Sequence, residues 1–188
     1  MMRGFVKSGT GFELQLSDGW QDLLLSLTEQ LVELLEDEAD ESVPEPNAFD
    51  PFAAWEAEFG DAEADTEHED PALRRLFPNP YPNDPEAAAD HRRFSEPGLR
   101  REKLADARVV LDFLRAGAED EQVHPDQVPA WLRTLNAQRL VLASRLGVEH
   151  ADDLERIANL SDDDPRWMMG AVMDVIGELQ AQLIEVGQ

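Results

Sequence analysis

Cysteine is absent from all 188 residues. Its absence removes disulfides, thiolate nucleophiles, iron–sulfur clusters and cysteine-ligated zinc, and with them any thiol redox sensing within this chain. Lysine is reduced to Lys7 and Lys103; all Lys and Arg together number 16 against 41 Asp and Glu, a formal net charge of −25. A field of that sign repels phosphate over most of the surface, so direct DNA binding and attachment to anionic lipid are both disfavoured. No apolar run approaches the roughly 20 residues that a membrane-crossing helix needs. The first residues, MMRGFVKSGTGF, contain no apolar signal-peptide core, and the cytoplasm is the expected location.

The motifs of common chemistries are missing as well. There is no GxxxxGK[ST], GxGxxG or GxSxG, so neither a phosphate cradle nor a nucleophile elbow is expected. His68, His91, His124 and His150 are scattered and form no metal-binding pair. Asp162, Asp163 and Asp164 do not follow the calcium-loop pattern, and Asp164-Pro165 reads as the start of a helix. No catalytic residue, metal or cofactor is therefore expected, and the chain reads as non-enzymatic.

What is present is a hydrophobic fraction of 42%, enough for a core. The periodicities predict a mainly α fold, a helical bundle with a small N-terminal β-hairpin, in a single domain spanning 1–188. Residues 3–16 read as the hairpin, with Ser8-Gly9-Thr10-Gly11 between two short apolar arms. A first helix over 18–37 carries Trp20, Leu23, Leu24, Leu27, Leu31, Leu34 and Leu35 on one face. Core packing is the simpler reading of that stripe; a homodimer seam is the other.

Residues 38–70 read as an acidic, partly flexible linker. Inside it Phe52, Trp55 and Phe59 recur at helical spacing after Asp50-Pro51, a short amphipathic helix suited either to a basic partner groove or to folding back on the domain.

Asp70-Pro71 and Asp84-Pro85 then open two short helices, separated by Pro78, Pro80 and Pro82. Ser95-Glu96-Pro97-Gly98 reads as a break, and a long helix is predicted from Leu99 to Leu114, ended by Gly117. Three further helices are expected: one capped by Asp126 and running to about Leu146, a short one at 151–158, and a last one after Asp164-Pro165. The last one is expected to turn Trp167, Met168, Ala171, Val175, Leu179 and Val186 inward.

The stretch Asp70–Leu114 holds much of the arginine, including Arg74, Arg75, Arg92, Arg93, Arg100 and Arg101. At helical spacing these are expected to pair with nearby carboxylates such as Glu96 and Glu102, making a basic hub within an anionic protein. Together with Phe52, Trp55 and Phe59, they are the candidate partner-binding residues.

The run DPALRRLFPNPYPNDPEAAADHRRFSEPGLRREK, the later VPAWLRTLNAQRLVLASRLGV and the Trp-led final helix resemble the actinobacterial oxidative stress regulator AosR-like family, formerly a domain of unknown function. The resemblance rests on Leu73, Leu76, Pro78, Tyr81, Pro85, Glu96, Leu99 and Lys103 with Trp131, Leu132, Asn136, Arg139 and Leu140. It implies a cytoplasmic regulator that promotes cysteine-biosynthesis genes by associating with a stress sigma factor, and so with RNA polymerase. Gene neighbours in that family include a protease adaptor, a JAMM-type metalloprotease, a sulfur carrier and a cysteine synthase, which leaves an accessory role in proteolysis or sulfur transfer as the alternative. The family's sensing is attributed to an N-terminal Cys-x-x-x-Cys pair; this chain has none, so thiol sensing does not carry over.

Overall fold

The computed structural model describes residues 4–36, 68–117 and 122–186. The expected amphipathic helix with Phe52, Trp55 and Phe59 lies outside the described residues, as does all of the 38–70 segment except its last three positions. The fold is mainly α, with a two-stranded antiparallel hairpin at the N-terminus. Strands β1 (Gly4–Ser8) and β2 (Gly11–Gln15) pair Phe5 with Leu14 and Ser8 with Gly11, leaving Gly9-Thr10 as a tight turn. Gly9 has φ +56°, the left-handed region that glycine adopts without steric cost.

The helices are α1 (Asp18–Glu36), α2 (Pro71–Leu76), α3 (Pro85–Phe94), α4 (Glu96–Ala116), α5 (Val128–Arg145), α6 (Ala151–Ala158) and α7 (Pro165–Val186). Asp70 and Asp84 cap α2 and α3 by accepting from Ala72 N and Ala87 N, each with Pro in the first turn. Gly117, at φ +64°, closes α4. Two expectations are corrected. Helix α4 begins at Glu96 rather than Leu99, because Pro97 sits in the first turn, where its missing N–H has no partner to lose. Helix α5 is not capped by Asp126: Gln127 is its N-cap residue, and the Gln127 side chain accepts from His124 N (3.0 Å).

Helix α5 packs against α7, α2, α4 and α1 and forms the centre of the molecule. Its Trp131 is fully buried, with Phe5 of the hairpin and Phe113 of α4 each edge-on to the indole at 5.3 Å between ring centres. Such edge contacts are favoured by the ring quadrupoles. The hairpin is held in place by the Phe5 N–H, which donates to Gln182 Oε1 of α7 (3.1 Å), and by paired bonds between Phe12 and Val123. Gly4, at φ +85°, lies against Gln182 Oε1, and a Cβ there would push the Gln182 side chain away from its bond to the Phe5 N–H. A second apolar cluster, Leu31, Leu35, Leu73, Leu76, Phe77, Ala107 and Leu111 among others, joins α1, α2 and α4.

Helix α7 turns Leu179 inward as expected but is rotated from the rest of its expected face, and the Val186 side chain lies outside those described. Val172, Met173, Ile176, Leu179 and Leu183 are buried, whereas Met168 is exposed and Trp167, Ala171 and Val175 are only partly covered. Between α1 and α5, Gln138 Nε2 donates to Thr28 Oγ1 (2.9 Å), which donates to Leu24 O (2.7 Å). Three atoms on the same side of α5, Trp131 Nε1, Thr134 Oγ1 and Gln138 Oε1, are buried with no partner among the described residues.

Two substitutions test this packing by denaturant unfolding. Trp131→Ala is expected to cost about 3–5 kcal/mol, since it empties the contact among hairpin, α4 and α5. Thr134→Val, which replaces an unpartnered buried hydroxyl with a methyl of similar size, is expected to be neutral or to stabilise by up to about 1 kcal/mol.

Candidate functional site around the arginine-rich middle

The arginines of the middle stretch divide by direction. On α2, Arg74 Nη1 donates to His68 O (2.8 Å) and Glu69 O (3.2 Å), closing the chain onto its own helix. Arg75 Nη2 donates to Val148 O, beyond the end of α5. Asp70 caps α2 and receives both Arg145 Nη1 (3.0 Å) and Nη2 (2.7 Å) from α5, a bidentate pair. Burial raises the Asp70 pKa, but the Arg145 and Ala72 hydrogen bonds outweigh it and hold the carboxyl below its usual range.

Arg100 is corrected from a partner-facing candidate to an interior residue, being only 7% exposed. Its Nη2 meets Glu96 Oε1 one turn back on α4 (3.2 Å), and its Nη1 donates to Leu35 O at the end of α1 (3.4 Å). The guanidinium lies 4.6 Å from the centre of the Phe77 ring, and Lys103 Nζ lies 5.8 Å from the same ring. Glu96 Oε1 is also 2.7 Å from His68 Nε2. One buried node thus joins the end of α1, the segment leading into α2, and the first turn of α4. Burial pushes the Glu96 pKa up; hydrogen bonds and charge from His68 and Arg100 more than reverse this, and the carboxyl sits below the ordinary 4.5.

Farther along, α4 holds α1 by Arg108–Glu36 (2.7 Å) and Arg115–Glu29 (2.9 Å). One number rises as the other falls, so the two helices run antiparallel with pairs two turns apart. Arg133 of α5 grips Asp106 of α4 through two bonds, 2.5 and 2.7 Å. The expected pairing of arginine with carboxylate is present at Glu96; the other carboxylate partners come from distant elements.

Arg74 on α2 is itself exposed, and the other outward-facing candidates lie at the junction of α3 and α4. Arg101 is exposed, and Arg92 and Arg93 are half-buried. Arg93 Cζ lies 5.5 Å from the Phe94 ring centre. Phe94 is 55% exposed, Tyr81 48% and Leu99 41%. Tyr81 stands edge-on to His91 at 6.2 Å. These exposed apolar residues were not expected as site residues. The sequence signal available was Tyr81 among prolines and an aromatic directly after Arg92-Arg93. Among the described residues, no group of three or more His, Asp and Glu is placed to hold a metal ion.

A mainly helical protein with an N-terminal hairpin, its helices joined by one buried arginine and several exposed arginine–carboxylate pairs, is the class that this architecture defines. The family model described as "Domain of unknown function (DUF2017)" matches residues 2–187, and the chain belongs to that family. No curated protein and no solved structure matches it.

The buried node gives a pH prediction. Because the folded pKa of Glu96 is depressed, its stabilisation is complete above 4.5 and is lost as pH falls through the folded value. Glu96→Gln is expected to cost about 3 kcal/mol at pH 7, since it leaves Arg100 buried beside a neutral group. The cost should shrink as the pH falls below 4.5 and through the depressed folded pKa, where the native carboxyl also protonates. Urea unfolding of both proteins across pH 3–7 checks this; a cost that does not change with pH would show that charge at Glu96 is not what matters.

Proposed function

We propose that this protein is a non-enzymatic regulator of the oxidative-stress and cysteine-biosynthesis response, acting by binding another protein. The partner is a stress sigma factor or the RNA polymerase that carries it. The reading is supported by one surface observation: Tyr81, Phe94 and Leu99 are held exposed beside Arg92, Arg93 and Arg101 at the α3–α4 junction. Aromatic residues and arginine dominate the energetic centres of protein interfaces, and rigid helices present them at low entropic cost. The resemblance to the AosR-like family supports the choice of partner. With no cysteine in the chain, the oxidative trigger lies in the partner or upstream of it.

The test is affinity capture with the tagged full chain, comparing wild type with the double variant Phe94→Ala/Arg101→Ala. Both positions are off the core, so folding stability should shift by no more than about 1 kcal/mol in total. Wild type is expected to recover RNA polymerase or a sigma factor, and the double variant to lose at least about tenfold of it, as for a pair of central interface residues. Equal recovery by the variant, or recovery of a protease or sulfur carrier in place of polymerase, would overturn the reading.

A further inference from the structure

Residues 37–67 join Glu36, the last residue of α1, to His68, and both ends are tied to the same helix. Leu35 O accepts from Arg100 Nη1 (3.4 Å), and Glu36 pairs with Arg108 (2.7 Å). At the other end, His68 Nε2 lies 2.7 Å from Glu96 Oε1. The segment therefore leaves and returns along the first half of α4, beside the α3–α4 junction. It holds twelve Asp and Glu and no Lys or Arg, and Phe52, Trp55 and Phe59 stand among Asp50, Glu56, Glu58 and Asp61.

The junction has the complementary makeup. Residues 91–103 hold five Arg and Lys against two Glu. Phe94 follows His91 by three positions, so both lie on one side of α3, and Tyr81 is edge-on to His91. Tyr81, Phe94 and Leu99 are exposed, and Arg93 lies beside the Phe94 ring. Other faces suit the segment less. Helix α1 has no Lys or Arg and α7 has none after Arg166, so both repel a chain of carboxylates.

From this we infer that the exposed α3–α4 face is the docking site of the chain's own segment 50–61. The aromatic rings of Phe52, Trp55 and Phe59 meet Tyr81, Phe94 and Leu99, and the carboxylates around them meet Arg92 and Arg93. Phe59 stands nine positions before His68, at most about 30 Å of extended chain, so the anchored end keeps it near the junction. Binding within one chain has an effective concentration on the order of millimolar, which fills even a weak site most of the time. A second copy gains no such advantage and brings another net charge of −25. Docking of this kind rests on the α3–α4 face being the interface proposed above, and it adds a control, because a protein partner must displace the segment.

The experiment uses the full chain. With no cysteine elsewhere, Ala57→Cys places a single nitroxide label inside the segment, and paramagnetic broadening of the backbone amides reports what lies near it. At about 0.05 M salt, the amides of residues 91–95 and of Leu99 are expected to lose about half of their signal or more, as a site filled at millimolar effective concentration requires. Adding Phe52→Ser/Trp55→Ser, or raising the salt to about 0.5 M, should restore most of that signal. The serine substitutions lie in the segment and leave every residue of α3 and α4 in place. Broadening that is absent from this face, is centred on another one, or survives the serine variant would overturn the inference. Broadening that a spin-labelled copy imposes on a separate, isotope-enriched copy without label would assign the face to a second molecule and would overturn it as well. The two readings of the face fail separately. Docking without capture of polymerase or a sigma factor counts against the proposed partner alone, and capture without docking counts against the in-chain occupant alone.

Discussion

A buried cation fixes how the helices of this acidic protein meet. Arg100 loses its water on folding, a cost of several kcal/mol unless the surroundings supply charge and hydrogen-bond acceptors. Among the described residues these include the Glu96 carboxylate on its own helix, the Leu35 carbonyl at the end of α1, and the face of Phe77 after α2. Glu96 in turn binds His68. The three elements must stay together for the charge to remain satisfied, and the apolar cluster of Leu35, Leu73, Leu76 and Phe77 packs around the same point. The outer pairs Arg108–Glu36 and Arg115–Glu29 extend the register between α1 and α4, but they are exposed, and such pairs contribute little each.

That arrangement changes what the arginine-rich middle is for. Arg74, Arg75 and Arg100 use their donors on the protein's own carbonyls and carboxylate, so much of the positive charge holds the fold together. The outward surface of the same stretch is aromatic as well as basic, with Phe94 and Tyr81 exposed.

Much of the fold was legible in the sequence. The Gly9-Thr10 turn, the Asp-Pro starts at Asp70 and Asp84, and the glycine stop at Gly117 each depend on local backbone chemistry, and local residues determine it. The start of α4 was misread because Pro97 signals a break in a helix interior yet fits a first turn, and only the position of Glu96 separates the two cases. The face of α7 was misjudged because MMGAVMDVIGELQ is apolar at so many positions that periodicity leaves its orientation ambiguous. For the candidate site, spacing located the arginines and the Glu96–Arg100 pair but could not tell inward from outward. Arg100 turns inward to reach Leu35 O, 65 positions away, and no local pattern encodes that partner. The exposure of Phe94 was hidden for the same reason.

The node at Arg100 makes a claim about α1 that amide hydrogen exchange reads directly. In Arg100→Met, which keeps the side-chain bulk over Phe77 and removes the charge, the last turn of α1 around Leu35 loses its anchor. The account predicts that amide protection in residues 32–36 falls by at least about tenfold relative to wild type, while the amides of α7 keep theirs. Unchanged protection at the end of α1, or an equal loss throughout the helices, would contradict it.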